Sequence, residues 1–300
     1  MDIHHYLKDR QGLIDRTLER YLRGWKQHPK NLNKAMHYSV FSGGKRLRPI
    51  LTLAVGELFG AKSRVLLPFA CTLELIHTYS LIHDDLPALD NDDLRRGKLT
   101  SHKLFGEGIA LLSGDALLAE AFHLMTRPQS VRALDCMLVV ELVREISHAA
   151  GVDGLVGGQA VDLEVGGQTM DIATVEYIHA RKTGALFLTA ARVGARIGRA
   201  APKDLRRISR YAERLGLAFQ ITDDILDAGN SSGEAKQSEN HNDNNNKEAE
   251  KATYPSVAGL PTARARVREL LKNCLKEVEP FSIAADPLRG IAQFVVERAV

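Results

Sequence analysis

Leu66-Leu67-Pro68-Phe69-Ala70-Cys71-Thr72-Leu73-Glu74-Leu75-Ile76-His77-Thr78-Tyr79-Ser80-Leu81-Ile82-His83-Asp84-Asp85-Leu86-Pro87 is the stretch on which the reading of this chain turns. Leu66, Phe69, Leu73, Ile76, Tyr79 and Ile82 recur at three- and four-residue intervals, the spacing of one helical face. The apolar run ends abruptly in two aspartates, with a third at Asp90. A second apolar run, Leu217-Ala218-Phe219-Gln220-Ile221, ends in the same way in Asp223-Asp224-Ile225-Leu226-Asp227. Carboxylates crowded at the end of an apolar helix repel one another and are costly to desolvate, so they call for cations, and hard oxygen-seeking metal ions are the usual ones.

The spacings refine this. Asp223 and Asp227 are four apart, about 400° of helical rotation, which places both on one face, one turn apart. Asp84 and Asp90 are six apart and would point to nearly opposite sides of a straight helix, so the helix must break between them, and Pro87 is placed to break it. A helix-loop-helix calcium site at Asp90-Asn91-Asp92-Asp93-Leu94-Arg95 fails, because Leu94, Arg95 and Ser101 stand where a ligand, the turn glycine and the closing glutamate belong.

Prolines are sparse, with none between Pro128 and Pro202 or between Pro202 and Pro255, and no alternating runs argue for strands. The chain reads as all-α, with further helical spacing at Ile109-Leu112-Ala116-Leu117-Leu124 and Leu205-Ile208-Ala212-Leu215. Gly151, Gly154, Gly157 and Gly158 fall in one expected helical region as packing or kink positions, where Gln159 and Asp162 are candidates to face a cavity. Uniform composition and an apolar fraction of 44% suit one domain over residues 1–300. The exception is residues 229–250, polar throughout and rich in asparagine, which read as a mobile loop with a lid as its functional option.

A net charge of +3 points to no nucleic-acid or anionic-membrane partner. Cys71, Cys136 and Cys274 are widely spaced in apolar helical sequence, as expected of reduced thiols in a cytoplasmic protein. No signal pattern is read at the N-terminus, no stretch is read as apolar for long enough to span a bilayer, and a soluble protein is expected.

Basic groups complement the acidic ones. In Ser42-Gly43-Gly44-Lys45-Arg46-Leu47-Arg48-Pro49, two glycines precede a helix start with an early proline and three cations, an anion-binding arrangement. Arg95-Arg96 and Arg181-Lys182-Thr183-Gly184 add two more basic sites. Nucleotide-binding loops and the G-x-S-x-G elbow are absent. The pattern describes a pocket for two polyanionic groups, one held through metals and one held directly by Lys and Arg.

These motifs, together with Lys251-Ala252-Thr253-Tyr254-Pro255, resemble the short-chain trans-isoprenyl diphosphate synthases, most closely the bacterial farnesyl diphosphate synthases, over residues 30 to 298. The resemblance implies an isoprenoid-synthase-type helical bundle around a deep central cavity, working as a homodimer. It implies that Asp84, Asp85, Asp90 and Asp223, with Asp227, hold three magnesium ions on the allylic diphosphate. Arg95, Lys182, Thr183 and Gln220 match allylic contacts, and Lys45, Arg48, His77 and Arg96 match contacts to isopentenyl diphosphate. Asp84, Asp85, Asp90, Arg95, Lys182 and Asp223 form the implied catalytic set. An aromatic at Tyr79 accompanies fifteen-carbon products in that family, with dimethylallyl and geranyl diphosphate as allylic substrates. The segment after the second cluster departs from the family pattern, and Lys236 is the nearest candidate for a further allylic contact. Alternatives are a geranylgeranyl or geranyl diphosphate synthase, or a non-catalytic subunit of a heteromeric prenyltransferase.

Overall fold

The computed structural model describes residues 1–23, 29–166, 170–234 and 253–298. They are overwhelmingly helical, in agreement with the all-α reading. Contacts divide the chain into two compact units, residues 1–147 with 190–201, and residues 148–189 with 202–300.

The first unit opens with α1 (Ile3–Leu22), α2 (Lys30–Val40), α3 (Leu47–Leu58) and α4 (Ser63–Asp84). A hairpin of two-residue strands, β1 (Leu94–Arg95) and β2 (Lys98–Leu99), follows, then α5 (Ser101–Phe105), α6 (Glu107–Thr126), α7 (Pro128–Ala133) and α8 (Cys136–Ala150). The stripe read on α4 is its core face: Leu66, Phe69, Leu73 and Ile76 are fully buried, and Tyr79 and Ile82 nearly so. Each such side chain is worth about 1.5–3 kcal/mol out of water. Glycines set the packing distances, since a Cβ on Gly56 of α3 would lie 2.4 Å from Leu66, and one on Gly114 of α6 would lie 2.1 Å from His83 Nε2.

The second unit contains α9 (Leu155–Glu164), α10 (Ile172–Ile178) and a π-helical turn, His179–Gly184, which leads into α11 (Ala185–Ile197). Then come α12 (Pro202–Glu234), α13 (Tyr254–Ala258), α14 (Leu260–Val278), a 3-10 turn at Ile283–Ala285 and α15 (Asp286–Glu297). Its core joins Val175, Ala218, Ile221 and Ile225 to Tyr254, Val267 and Leu270.

Several expectations change. The hairpin was not anticipated; Arg96 (φ 56) and Gly97 (φ 73) both lie in the left-handed region, the requirement of a tight I′ turn. The glycine cluster does not sit in one helix, because α8 ends at Ala150 and α9 begins at Leu155. Its packing role holds at Gly158, where a Cβ would be 2.4 Å from the Lys182 backbone nitrogen. On α6 the expected stripe is only partly buried, with Leu112 53% exposed. The loop expected over residues 229–250 does not begin at 229, since α12 continues to Glu234; the rest of that expectation, residues 235–250, lies outside the described residues. Contrary to the sequence reading, α4 and α6 are long and apolar enough to cross a membrane by length and composition; the apolar window of α4 is 83% buried inside the protein and that of α6 is 39% buried.

Candidate active site

The first unit builds an acidic turn beside a cationic one. The α4 helix ends at Asp84, where Pro87 has no N–H to continue the ladder. The chain then folds back so that the Asp90 N–H donates to the Asp84 carbonyl at 2.9 Å. The break required between Asp84 and Asp90 is therefore present. Asp85 caps the helix, is buried, and accepts from Arg95 Nε at 2.6 Å. Burial pushes its carboxyl up to about 6, against the pull of Arg95. Arg95 also reaches Asp92 at 3.3 Å.

Opposite charge gathers at the start of α3. Arg46 takes a left-handed backbone (φ 53) as its N-cap, which turns the side chain inward. There its guanidinium donates to Glu74 at 2.6 Å, Asp15 at 2.9 Å and the Val40 carbonyl at 2.6 Å. With its donors so engaged, Arg46 is a buried strut and not one of three anion-binding cations. Lys45 on one side of it is exposed, and Arg48 on the other is buried in the first turn of α3. Arg96 returns from the hairpin to donate through Nη1 to the Gly43 carbonyl. Burial, and then the charges of Arg48, Arg96, Arg46 and Arg95, push the His77 imidazole well below its usual value.

Tyr79 is buried on α4, edge-on to His83 at 5.7 Å between ring centroids. Burial and the nearby Asp84 raise its hydroxyl to about 12, so it is a neutral phenol at any working pH.

The second unit holds a cavity of about 270 Å³ lined by Asp162, Lys182, Thr183, Gln220, Asp224 and Asp227 among others. Lys182 and Thr183 stand on the π-helical turn, a widened helix often found at functional sites. Lys182 Nζ pairs with Asp162 at 2.8 Å, so of the two candidates for a cavity face, Asp162 lines this one. Thr183 donates to Gln220 at 2.8 Å, and Gln220 donates to Asp224 at 3.2 Å. Asp227 is raised by burial and by Asp224. Asp223 takes an ion pair from Arg298 at 2.9 Å.

The family model for polyprenyl synthetase matches residues 29–284. The chain belongs to the polyprenyl synthetase family. It is 45% identical over 98% of its length, and 83% of the relative's, to a dimethylallyltranstransferase of Fischerella ambigua (strain UTEX 1903). To the farnesyl diphosphate synthase of Geobacillus stearothermophilus it is 39% identical over 99% of this chain and 98% of that one. Geranylgeranyl diphosphate synthases, one of them from Cyanophora paradoxa at 42% identity, are also among its relatives. A solved geranyltransferase of Legionella pneumophila superposes with a TM-score of 0.88 at 30% identity, covering 99% of this chain and 98% of that one, so the fold is the all-α prenyltransferase fold.

For a polyprenyl synthetase, the acidic groups fit magnesium by their chemistry. They are hard carboxylate oxygens, and magnesium is commonly held by one or two carboxylates with substrate phosphates completing its shell. Among the described residues no three His, Cys, Asp or Glu side chains form a ready-made metal cage. Arginine meanwhile balances Asp85 and Asp223. Lys236 lies outside the described residues. His179 and Arg298 escaped the sequence reading, and Asp224 entered it only as a member of the second acidic cluster; Arg298 meets Asp223 only through the fold.

Proposed function

We propose that this prenyltransferase condenses isopentenyl diphosphate head-to-tail with dimethylallyl and then geranyl diphosphate, giving farnesyl diphosphate. The observation that carries the reading is the cationic turn in which Lys45 and Arg48 flank the start of α3 and Arg96 donates to the Gly43 carbonyl, an arrangement that suits a diphosphate held without metal. A synthase that joins two diphosphates needs such a site in addition to its acidic motifs. Isopentenyl diphosphate binds there, and the allylic diphosphate takes Arg95, Lys182, Thr183 and Gln220.

Asp84, Asp85, Asp90, Asp223 and Asp227 would hold magnesium, which supplies neutralising charge to the diphosphate leaving group. Arg95 and Lys182 exchange their carboxylate partners for the substrate's oxygens and add to that neutralisation as the allylic C–O bond breaks. Lys45, Arg48 and Arg96 hold the second diphosphate so that the isopentenyl double bond meets the allylic carbon; the new C–C bond forms and a proton leaves to the released diphosphate.

Fifteen carbons is supported by Tyr79, buried on α4 more than one turn before Asp84, where a chain growing away from the acidic turn meets a ring. The farnesyl synthase among the relatives supports it, and the geranylgeranyl synthases supply the second reading, a twenty-carbon product. A homodimer is the expected form, supported by Leu111 and Leu112 left exposed on α6, and a cytoplasmic location is proposed with it. The test is chromatography of dephosphorylated products from wild type and Tyr79→Ala. Farnesol from the first and a shift towards geranylgeraniol in the second are expected; a wild-type product already at twenty carbons, or an unchanged Tyr79→Ala profile, refutes the assignment of length to Tyr79.

A further inference from the structure

We infer that Gln11 and Asp15, one turn apart on α1, are positioning residues for prenyl transfer: they brace the turn at residues 43–48 from behind, so that Lys45 and Arg48 are held in place for the second diphosphate. The inference rests on the reading of that turn as the isopentenyl diphosphate site.

The turn does not hold itself. Gly43 (φ 104), Gly44 (φ 128) and Arg46 (φ 53) all have positive φ. Glycine favours no one conformation strongly, and for arginine the left-handed region is uphill, so contacts from outside must select this shape. Arg96 donates to the Gly43 carbonyl from the hairpin, and Glu74 on α4 accepts from Arg46. Two more contacts come from α1: Gln11 Nε2 donates to the Gly44 carbonyl at 2.9 Å, and Asp15 Oδ1 accepts from Arg46 Nε at 2.9 Å.

The sequence of α1 bears the same signal. Leu7, Ile14, Leu18 and Leu22 are buried at helical spacing, and Gln11 falls in that stripe, four residues after Leu7 and three before Ile14. An apolar side chain suits such a position, and a polar one persists there when it has a partner. A carbonyl only accepts, so the Gln11 amide turns its NH₂ edge to Gly44. Asp15, four residues on, lies on the same side of the helix and supplies an acceptor that keeps Arg46 turned inward. The Arg46 carbonyl in turn accepts the Ile50 N–H at 3.0 Å, which ties the start of α3, and Arg48 with it, to the braced residue. α1 lies ahead of residues 29–284, the span of the family match, so the brace is supplied from outside that span.

The test uses Gln11→Met, which keeps length and removes the donor, with Asp15→Ala and Asp15→Asn, the second of which keeps an oxygen acceptor. Gln11→Met should raise KM for isopentenyl diphosphate about fivefold, the factor that corresponds to one ordinary hydrogen bond, and leave KM for the allylic substrate within about twofold. Asp15→Ala should do at least as much, and Asp15→Asn should recover most of that loss. A side chain that merely stabilised the fold would behave otherwise. Gln11→Met adds an apolar group to an apolar stripe, so its Tm should match or exceed that of wild type while binding of one substrate weakens. The second readout is amide exchange at Ile50, which should quicken in Gln11→Met and Asp15→Ala whether or not the chain transfers prenyl groups. Gln11→Met decides the matter if Asp15→Ala does not fold. An unchanged KM for isopentenyl diphosphate in Gln11→Met, equal rises for both substrates, a loss in Asp15→Asn equal to that in Asp15→Ala, or Ile50 exchange as slow as in wild type overturns the inference. Absence of prenyl transfer in wild type refutes the activity and the substrate assigned to the turn, and Ile50 exchange then decides the brace by itself.

Discussion

Replacing Gly44 by alanine tests the division of the basic groups, because the structure states what the added methyl meets. Gly44 has φ +128, and its Cβ would lie 2.7 Å from Arg96 Nη1 and 3.1 Å from both Cζ and Nη2. The whole guanidinium must therefore move. The obstacle is the end of a flexible side chain, so the fold yields locally, with a backbone cost of order 1–3 kcal/mol for the unfavourable φ. Function yields more. If Arg96 grips isopentenyl diphosphate, loss of one charge-assisted contact costs about 1.5–3 kcal/mol, which is about 10- to 150-fold in affinity. Gly60→Ala is the matched control, since its φ of +80 imposes backbone strain with nothing within 4 Å of the new methyl. Steady-state titration of each substrate is the assay. Gly44→Ala should raise KM for isopentenyl diphosphate by that factor with little change for the allylic substrate, and Gly60→Ala should change neither. An equal rise for both substrates, or the same effect from Gly60→Ala, refutes the reasoning.

Other consequences are as direct. Asp84→Ala or Asp223→Ala should lower turnover by several orders of magnitude with the helical circular dichroism unchanged, and near-wild-type turnover at saturating magnesium would exclude that residue as a ligand. Lys45→Ala or Arg48→Ala should raise KM for isopentenyl diphosphate far more than for the allylic substrate, and equal shifts would refute the assignment. Glu277 ties α14 to α12 through Arg210 at 2.8 Å and Arg214 at 2.7 Å, and those contacts pull its carboxyl down to about 2. Because the folded value is depressed, this stabilisation is complete above about pH 4.5 and is lost as pH falls through about 2, at most about 3 kcal/mol. Urea denaturation of Glu277→Gln should show a correspondingly shallower acid loss, and parallel curves for the two proteins would contradict it.

Legibility followed the range of the interactions. The α4 face and the helix break at Pro87 are local, carried by period and spacing, and were readable in the sequence. The direction of Arg46 was not: charge is visible in sequence, but the left-handed backbone that turns this one cation of three into a buried pair with Glu74 is not. The hairpin was invisible because strands of two residues carry no alternation, and its turn is Arg96-Gly97 where Asn-Gly or Asp-Gly would have announced it. On α6, periodicity could name an apolar face and could not say that part of it stays uncovered within the chain. Asp224 shows the same limit, since adjacency to Asp223 was plain while the donors that claim it, the Gln220 amide and the Tyr254 backbone N–H, come from 220 and 254, with the His179 ring 3.4 Å away.

The central claim is met most directly by incubating the purified chain with magnesium, radiolabelled isopentenyl diphosphate and either dimethylallyl or geranyl diphosphate, and following label into dephosphorylated, extractable alcohol. The account predicts label in farnesol with both allylic substrates, abolished by chelation of the metal. Label that never leaves isopentenyl diphosphate, in protein that is folded and supplied with metal, would contradict it.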